Sequence, residues 1–219
     1  MHSTLGRHHV AALVLTTPLV LMLAVDWVVT GLTGERTWVT DDAQGGPATA
    51  VLVSVALAAA FAAIFAVLRA ERHRLDDLGR LGRACRRVLL VGSVGMVIGN
   101  GIIHPAFLLA DVEEGVLYDA SGAVALAAIA CTFLPSLVLG LAQVRRNTLG
   151  IGGRLLSLTV PAVLLTVATA LVASDWASPV LLTAAVLVGL ATVGAGAPTV
   201  GSPPARVKAH GSTRHTISS

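Results

Sequence analysis

RAERHRLDDLGRLGRACRRVLLVGSVGMVIGNGIIHPAFLLA, residues 69–110, changes character once. Its first 19 residues hold seven arginines; the following 23, from Val88 to Ala110, hold no Asp, Glu, Lys or Arg. A run of that length and composition meets the requirement of about 20 apolar residues for a helix that crosses a bilayer. The arginines at its start belong on the side of the membrane that retains positive charge.

Five further stretches pass the same test, so the predicted spans are residues 10–32, 48–68, 88–110, 121–144, 155–173 and 179–196. The remaining joints are short and carry the charges and turn formers. The expected fold is therefore all-α: a polytopic integral membrane bundle of six transmembrane helices in one domain, residues 1–196. Residues 197–219, rich in Pro, Gly, Ser and Thr, read as a disordered tail. The first span is too long for the apolar core of a secretory signal, and no small-x-small cleavage site follows it.

Composition supports this reading. Of 219 residues, 55% are hydrophobic and only 12% charged, and mean hydropathy is +0.82. Soluble domains carry about 25% charged residues, so neither a soluble enzyme nor a disordered chain fits. The Ala, Val, Leu, Gly and Arg bias, with Lys208 the single lysine, suggests a high-GC bacterial source and hence a bacterial plasma membrane.

The net charge of +3 conceals a strong asymmetry. With six crossings, 14 of the 15 basic residues fall on one side and Arg36 alone on the other. Eight of the 12 acids lie opposite the arginines. The positive side is cytoplasmic, so both termini are expected in the cytoplasm. Asp26 belongs to neither side, because it lies within the first span.

The third span carries the most information. On a helical wheel Gly92, Gly95 and Gly99 fall within about 60° of one another, a small-residue face that lets a second backbone approach, in the bundle or in a membrane partner or second copy. Ser93, Asn100 and His104 align within about 40° on another face. Pro105 has no N–H, so the carbonyl of Gly101 loses its partner and the helix should kink in its outer half, exposing polarity.

Asp26 and His104 each sit about 7.5 Å outward of their helix centres, with Ser54 and Thr169 at similar depth. An intramembrane acid is costly and is usually paired, hydrated or functional. Two readings stay open. Asp26, Asn100 and His104 form an outward-facing ligand or proton site, as in a small transporter or its substrate-binding subunit. Alternatively Asp26 reaches headgroup water beside Trp27, while His104 satisfies a local carbonyl. A non-catalytic accessory subunit and a membrane enzyme of unfamiliar pattern are further alternatives.

In the loop at residues 69–87, Leu75, Leu78, Leu81, Cys85, Val88 and Leu89 share one side, and Arg72, Arg80, Arg83, Arg86 and Arg87 the other. This pattern predicts a segment lying in the cytoplasmic interface with its arginines on anionic lipid headgroups. No aromatic residue interleaves the arginines, so nucleic acid is not an expected partner. Asp26-Trp27 and Asp175-Trp176 read as interfacial anchors. Cys85 and Cys131 read as apolar filler rather than a disulfide, and His8, His9, His210 and His215 as solvated side chains rather than metal ligands. No metal-binding, phosphate-binding or nucleophile motif is present, so neither a catalytic residue nor a cofactor is expected.

Overall fold

The computed structural model describes residues 5–35, 37, 42–112, 114–144, 148–173 and 176–197. The expected tail at 197–219 therefore lies outside the described residues apart from Ala197. Among the described residues the chain is helical: α1 (Arg7–Thr33), α2 (Asp42–Ala70), α3 (Arg72–Asp76), α4 (Arg80–Ile98), a π-helical turn (Gly99–Ile103), α5 (His104–Ala110), α6 (Val116–Gln143), α7 (Gly150–Ser157), α8 (Thr159–Val172) and α9 (Val180–Ala191).

Five continuous segments are long and apolar enough to cross a membrane: Arg7–Thr33, Gly45–Ala70, Arg80–Ala110, Val116–Gln143 and Gly150–Val172. The protein is an all-α, multi-pass membrane helix bundle. The sixth element departs from expectation. α9 has 12 residues, a rise of about 18 Å, against a hydrocarbon thickness of about 30 Å. Beyond Ala191 the chain turns back on α7, with Ile151 N–H donating to the Ala195 carbonyl (2.8 Å) and Gly194 N–H to the Leu149 carbonyl (3.0 Å).

The helices close into a ring. α1 packs on α2, α2 on α4, α4 on α6, α6 on α7, α7 on α9, and α9 returns to α1. Ahead of Pro161 the chain makes a turn at Leu158 between α7 and α8. There the Ser157 and Thr159 hydroxyls donate to the Arg154 and Leu156 carbonyls at 2.6 and 2.7 Å. α6, by contrast, runs through Pro135 without a break.

Packing is uneven along the membrane normal. The largest fully buried side chains include Phe61, Ile64 and Leu68 on α2, Leu89 on α4, Leu139 on α6, Leu156 on α7 and Leu190 on α9. All of these lie in the half of each helix nearer the arginine-rich end. In the opposite half, large apolar side chains such as Leu32, Leu109, Leu117 and Leu171 face outward, and the buried positions there are mostly small or polar. One half of the bundle is a close-packed core; the other is open enough to hold a cavity.

The arginine loop does not lie flat. α3 ends at Asp76, the chain turns, and α4 continues from Arg80 straight into the third span. Leu75, Cys85 and Leu89, expected on lipid, are buried in the core, because the apolar face finds α2 and α6. Both cysteines are free thiols.

Candidate functional site: a cavity at the π-helical turn

Pro105 sets the local geometry. The helix absorbs the missing donor by widening for one turn: His104 N–H bonds the Gly99 carbonyl five residues back. Asn100 Nδ2 donates to the Met96 carbonyl at 2.9 Å. Asn100 thus answers the backbone of its own helix. π-Helical turns inside α-helices recur at functional sites.

The wide turn borders a cavity of about 210 Å³ between α4, α5 and the first turns of α6, lined among others by Asn100, Ile103, His104, Phe107, Tyr118 and Ser121. Its walls are mainly apolar. Phe107 and Tyr118 meet edge to face, centroids 5.7 Å apart. The polar atoms concentrate at Asn100, His104 and Ser121, whose hydroxyl donates to the Tyr118 carbonyl at 2.7 Å. His104 Nδ1 is 2.8 Å from Ser54 Oγ on α2. Ser54 is buried and His104 largely exposed, so the serine orients the ring and leaves Nε2 as its outward polar atom.

Asp26 is not part of this cavity. Its Oδ1 accepts from Thr37 N–H at 3.1 Å and Thr37 Oγ1 at 2.6 Å, which ties the chain beyond α1 back onto the helix. Equal depth does not imply contact, since α2 stands between α1 and α4 in the ring. Thr169 is likewise elsewhere, donating to the Leu165 carbonyl on its own helix at 2.9 Å. Ser93 is buried and donates to the Leu89 carbonyl at 2.8 Å.

The glycine face is used within the chain. A Cβ on Gly92 would meet Thr132 Oγ1 at 2.8 Å, and one on Gly95 the Ala128 Cβ at 2.8 Å, both on α6. Nothing lies within 4 Å of the position a Cβ would take on Gly99, which lines the cavity. Among the arginines, Arg86 is bound to Asp76 by a two-pronged pair, Nε to Oδ1 at 3.0 Å and Nη2 to Oδ2 at 3.3 Å. It is a tether between α4 and α3 rather than a free headgroup contact. Arg72, Arg80, Arg83 and Arg87 are exposed.

Three arrangements had no clear signal in the sequence. Trp27 and Trp176 meet edge to face at 5.7 Å, and Trp27 Nε1 donates to the Trp176 carbonyl at 3.0 Å; the two expected anchors are one contact closing α1 onto the α8–α9 connection. Gln143 Oε1 accepts from Thr148 N–H (2.7 Å), Thr148 Oγ1 (3.1 Å) and Leu149 N–H (3.0 Å). His9, expected in solvent, is only 3% exposed, and its Nε2 lies 2.8 Å from the Val193 carbonyl.

Comparison with protein-family models, curated proteins and solved structures finds no match to this chain.

Proposed function

We propose that this is a small ligand-binding membrane protein, a compact transporter or the substrate-binding membrane subunit of one, in a bacterial plasma membrane with its arginine-rich end in the cytoplasm. The observation that carries the reading is the π-helical turn beside a cavity of about 210 Å³, where Asn100 and a serine-oriented His104 meet apolar and aromatic walls. Ligand sites combine apolar linings with a few placed polar groups. The fitting ligand is a small amphiphile with one hydrogen-bonding group, entering from the outer side. Exposed Arg80, Arg83 and Arg87 on the first turns of α4 suit anionic headgroups of the inner leaflet.

Gly99→Leu tests the site directly, because a Cβ at this cavity-lining position meets open space and the larger side chain narrows the cavity. In detergent, a panel of small alcohols, phenols, amines and carboxylic acids is screened for thermal stabilisation. One of these classes is expected to stabilise the native chain saturably and to do so at least tenfold more weakly in Gly99→Leu and His104→Ala. Equal stabilisation of all three proteins, or none of the native one, would remove the cavity from the proposal.

A further inference from the structure

At the arginine-rich end, remote from the cavity, three elements converge on one carboxylate. His8 and His9 lie in the first turn of α1, and Glu71 directly follows α2. The end of α9 closes the group through the Val193 carbonyl, which is 2.8 Å from His9 Nε2. A carbonyl only accepts, so that nitrogen carries a proton and His9 is held by a backbone bond.

Two polar atoms of this cluster are buried without a hydrogen-bond partner: His9 Nδ1 and His8 Nε2. Burying an unpaired polar group is costly, and two neighbouring histidines that both do so lack an explanation in the fold alone. His8 Nε2 sits 3.4 Å from Glu71 Oε1, and His9, whose Nε2 donates to Val193, keeps its lone pair on the unpartnered Nδ1. One nitrogen from each histidine and one Glu71 oxygen all lie within 4.8 Å of one another.

The 3.4 Å between His8 Nε2 and Glu71 Oε1 suits two ligands of one ion, and His9 belongs to the same cluster. Zinc–nitrogen and zinc–oxygen bonds of about 2.1 Å at tetrahedral angles place neighbouring ligand atoms ~3.4 Å apart. The remaining oxygen, Oε2, accepts from Arg74 Nε at 2.9 Å, which fixes the carboxylate plane and directs Oε1 toward the histidines, in the manner of an outer-shell partner. Gly194, at φ +86°, has no room for a Cβ because the Glu71 side chain lies against it. The carboxylate is thus confined on both sides.

We propose that His8, His9 and Glu71 bind a divalent transition-metal cation of the Zn²⁺ class, with a fourth position left to water. Two imidazoles and a carboxylate form a ligand set that zinc accepts, and the alkaline-earth cations, which take oxygen ligands, do not suit it. The bound ion fastens the starts of α1 and the ends of α2 and α9 together.

The test uses the full chain in which His2, His73, His210 and His215 are replaced by Gln, which leaves His104, at the opposite end of the bundle, as the one histidine outside the cluster. After stripping with chelator, Zn²⁺ is titrated by calorimetry and Co²⁺ by visible absorption. One Zn²⁺ per chain with a micromolar or tighter Kd is expected, together with d–d bands of tetrahedral Co²⁺ and a raised thermal midpoint. His8→Gln, at a partly exposed side chain that tolerates exchange, and Glu71→Gln should each weaken binding at least tenfold. Absence of stoichiometric binding means that the cluster holds a proton instead and overturns the site. So does unchanged Zn²⁺ affinity in His8→Gln, which reads the outcome even if Glu71→Gln does not fold.

Discussion

Replacing Gly152 with alanine is expected to lower the thermal midpoint of the purified protein strongly. Gly152 is buried where α7 meets the turn that follows α9, and a Cβ there would run into Val193 N, the Thr192 carbonyl carbon and the Gly189 carbonyl. These are backbone atoms, so rotamer changes cannot relieve the clash. The same approach allows Gly152 N–H to donate to the Thr192 carbonyl at 3.2 Å, and separating the two segments would loosen that bond as well. Overpacking a well-fitted site costs about 1–3 kcal/mol or more, and a backbone-on-backbone clash belongs at the top of that range. Gly122→Ala is the matched control. No atom lies within 4 Å of its added methyl, and within α6 the change should stabilise by about 0.5–1 kcal/mol through helix propensity. The opposite signs of the two alanine substitutions, read by thermal denaturation in one detergent, check the packing of α7 against α9.

Gln143→Met is also expected to destabilise, although it keeps size and removes only polarity. Gln143 is 4% exposed at the end of α6, where one side-chain oxygen receives three bonds from Thr148 and Leu149. Methionine fills the space but leaves two backbone N–H groups unanswered, one of them on fully buried Leu149. Leu149 is the buried one of the two, and an unsatisfied buried group costs about 1–3 kcal/mol, so a loss of that order is expected, with faster hydrogen exchange at the Leu149 amide. Leu141→Met, two residues away at an exposed position, should change neither. Equal stability of the two variants would show that the Gln143 bonds do not hold α6 to α7.

Much of this architecture was legible in the sequence because it follows from one-dimensional rules. Apolar run length marked the five long crossings, and Pro105 beside Gly99 and Gly101 marked the place where the third departs from α-helical geometry. What was not legible is azimuth. Depth along a helix can be counted, which is why Ser54, His104 and Asp26 all appeared at one level. Which of them meet depends on the order of helices around the ring, and α2 brings Ser54 to His104 while Asp26 turns to Thr37. His9 was misread for a related reason: a histidine two residues after Arg7 looks solvent-bound until the turn after α9 closes over it through Val193. The length of α9 was overestimated because residues 192–197 are apolar enough to extend a span, yet Gly194 and Gly196, both at positive φ, turn them back onto α7. The arginine loop shows the same limit, since its apolar face was clear but whether protein or lipid covers it was not.

The proposed orientation turns the close-packed, arginine-rich half of the bundle toward the cytoplasm and the open, cavity-bearing half outward. The most direct measurement is thiol accessibility in intact cells, with Cys85 and Cys131 replaced by alanine and a single cysteine introduced at Gly122, beside the cavity, or at exposed Arg83 on the first turn of α4. A membrane-impermeant maleimide should label Gly122→Cys in intact cells and Arg83→Cys only after permeabilisation. Labelling in the reverse pattern would contradict the orientation and, with it, an outward-facing site at His104.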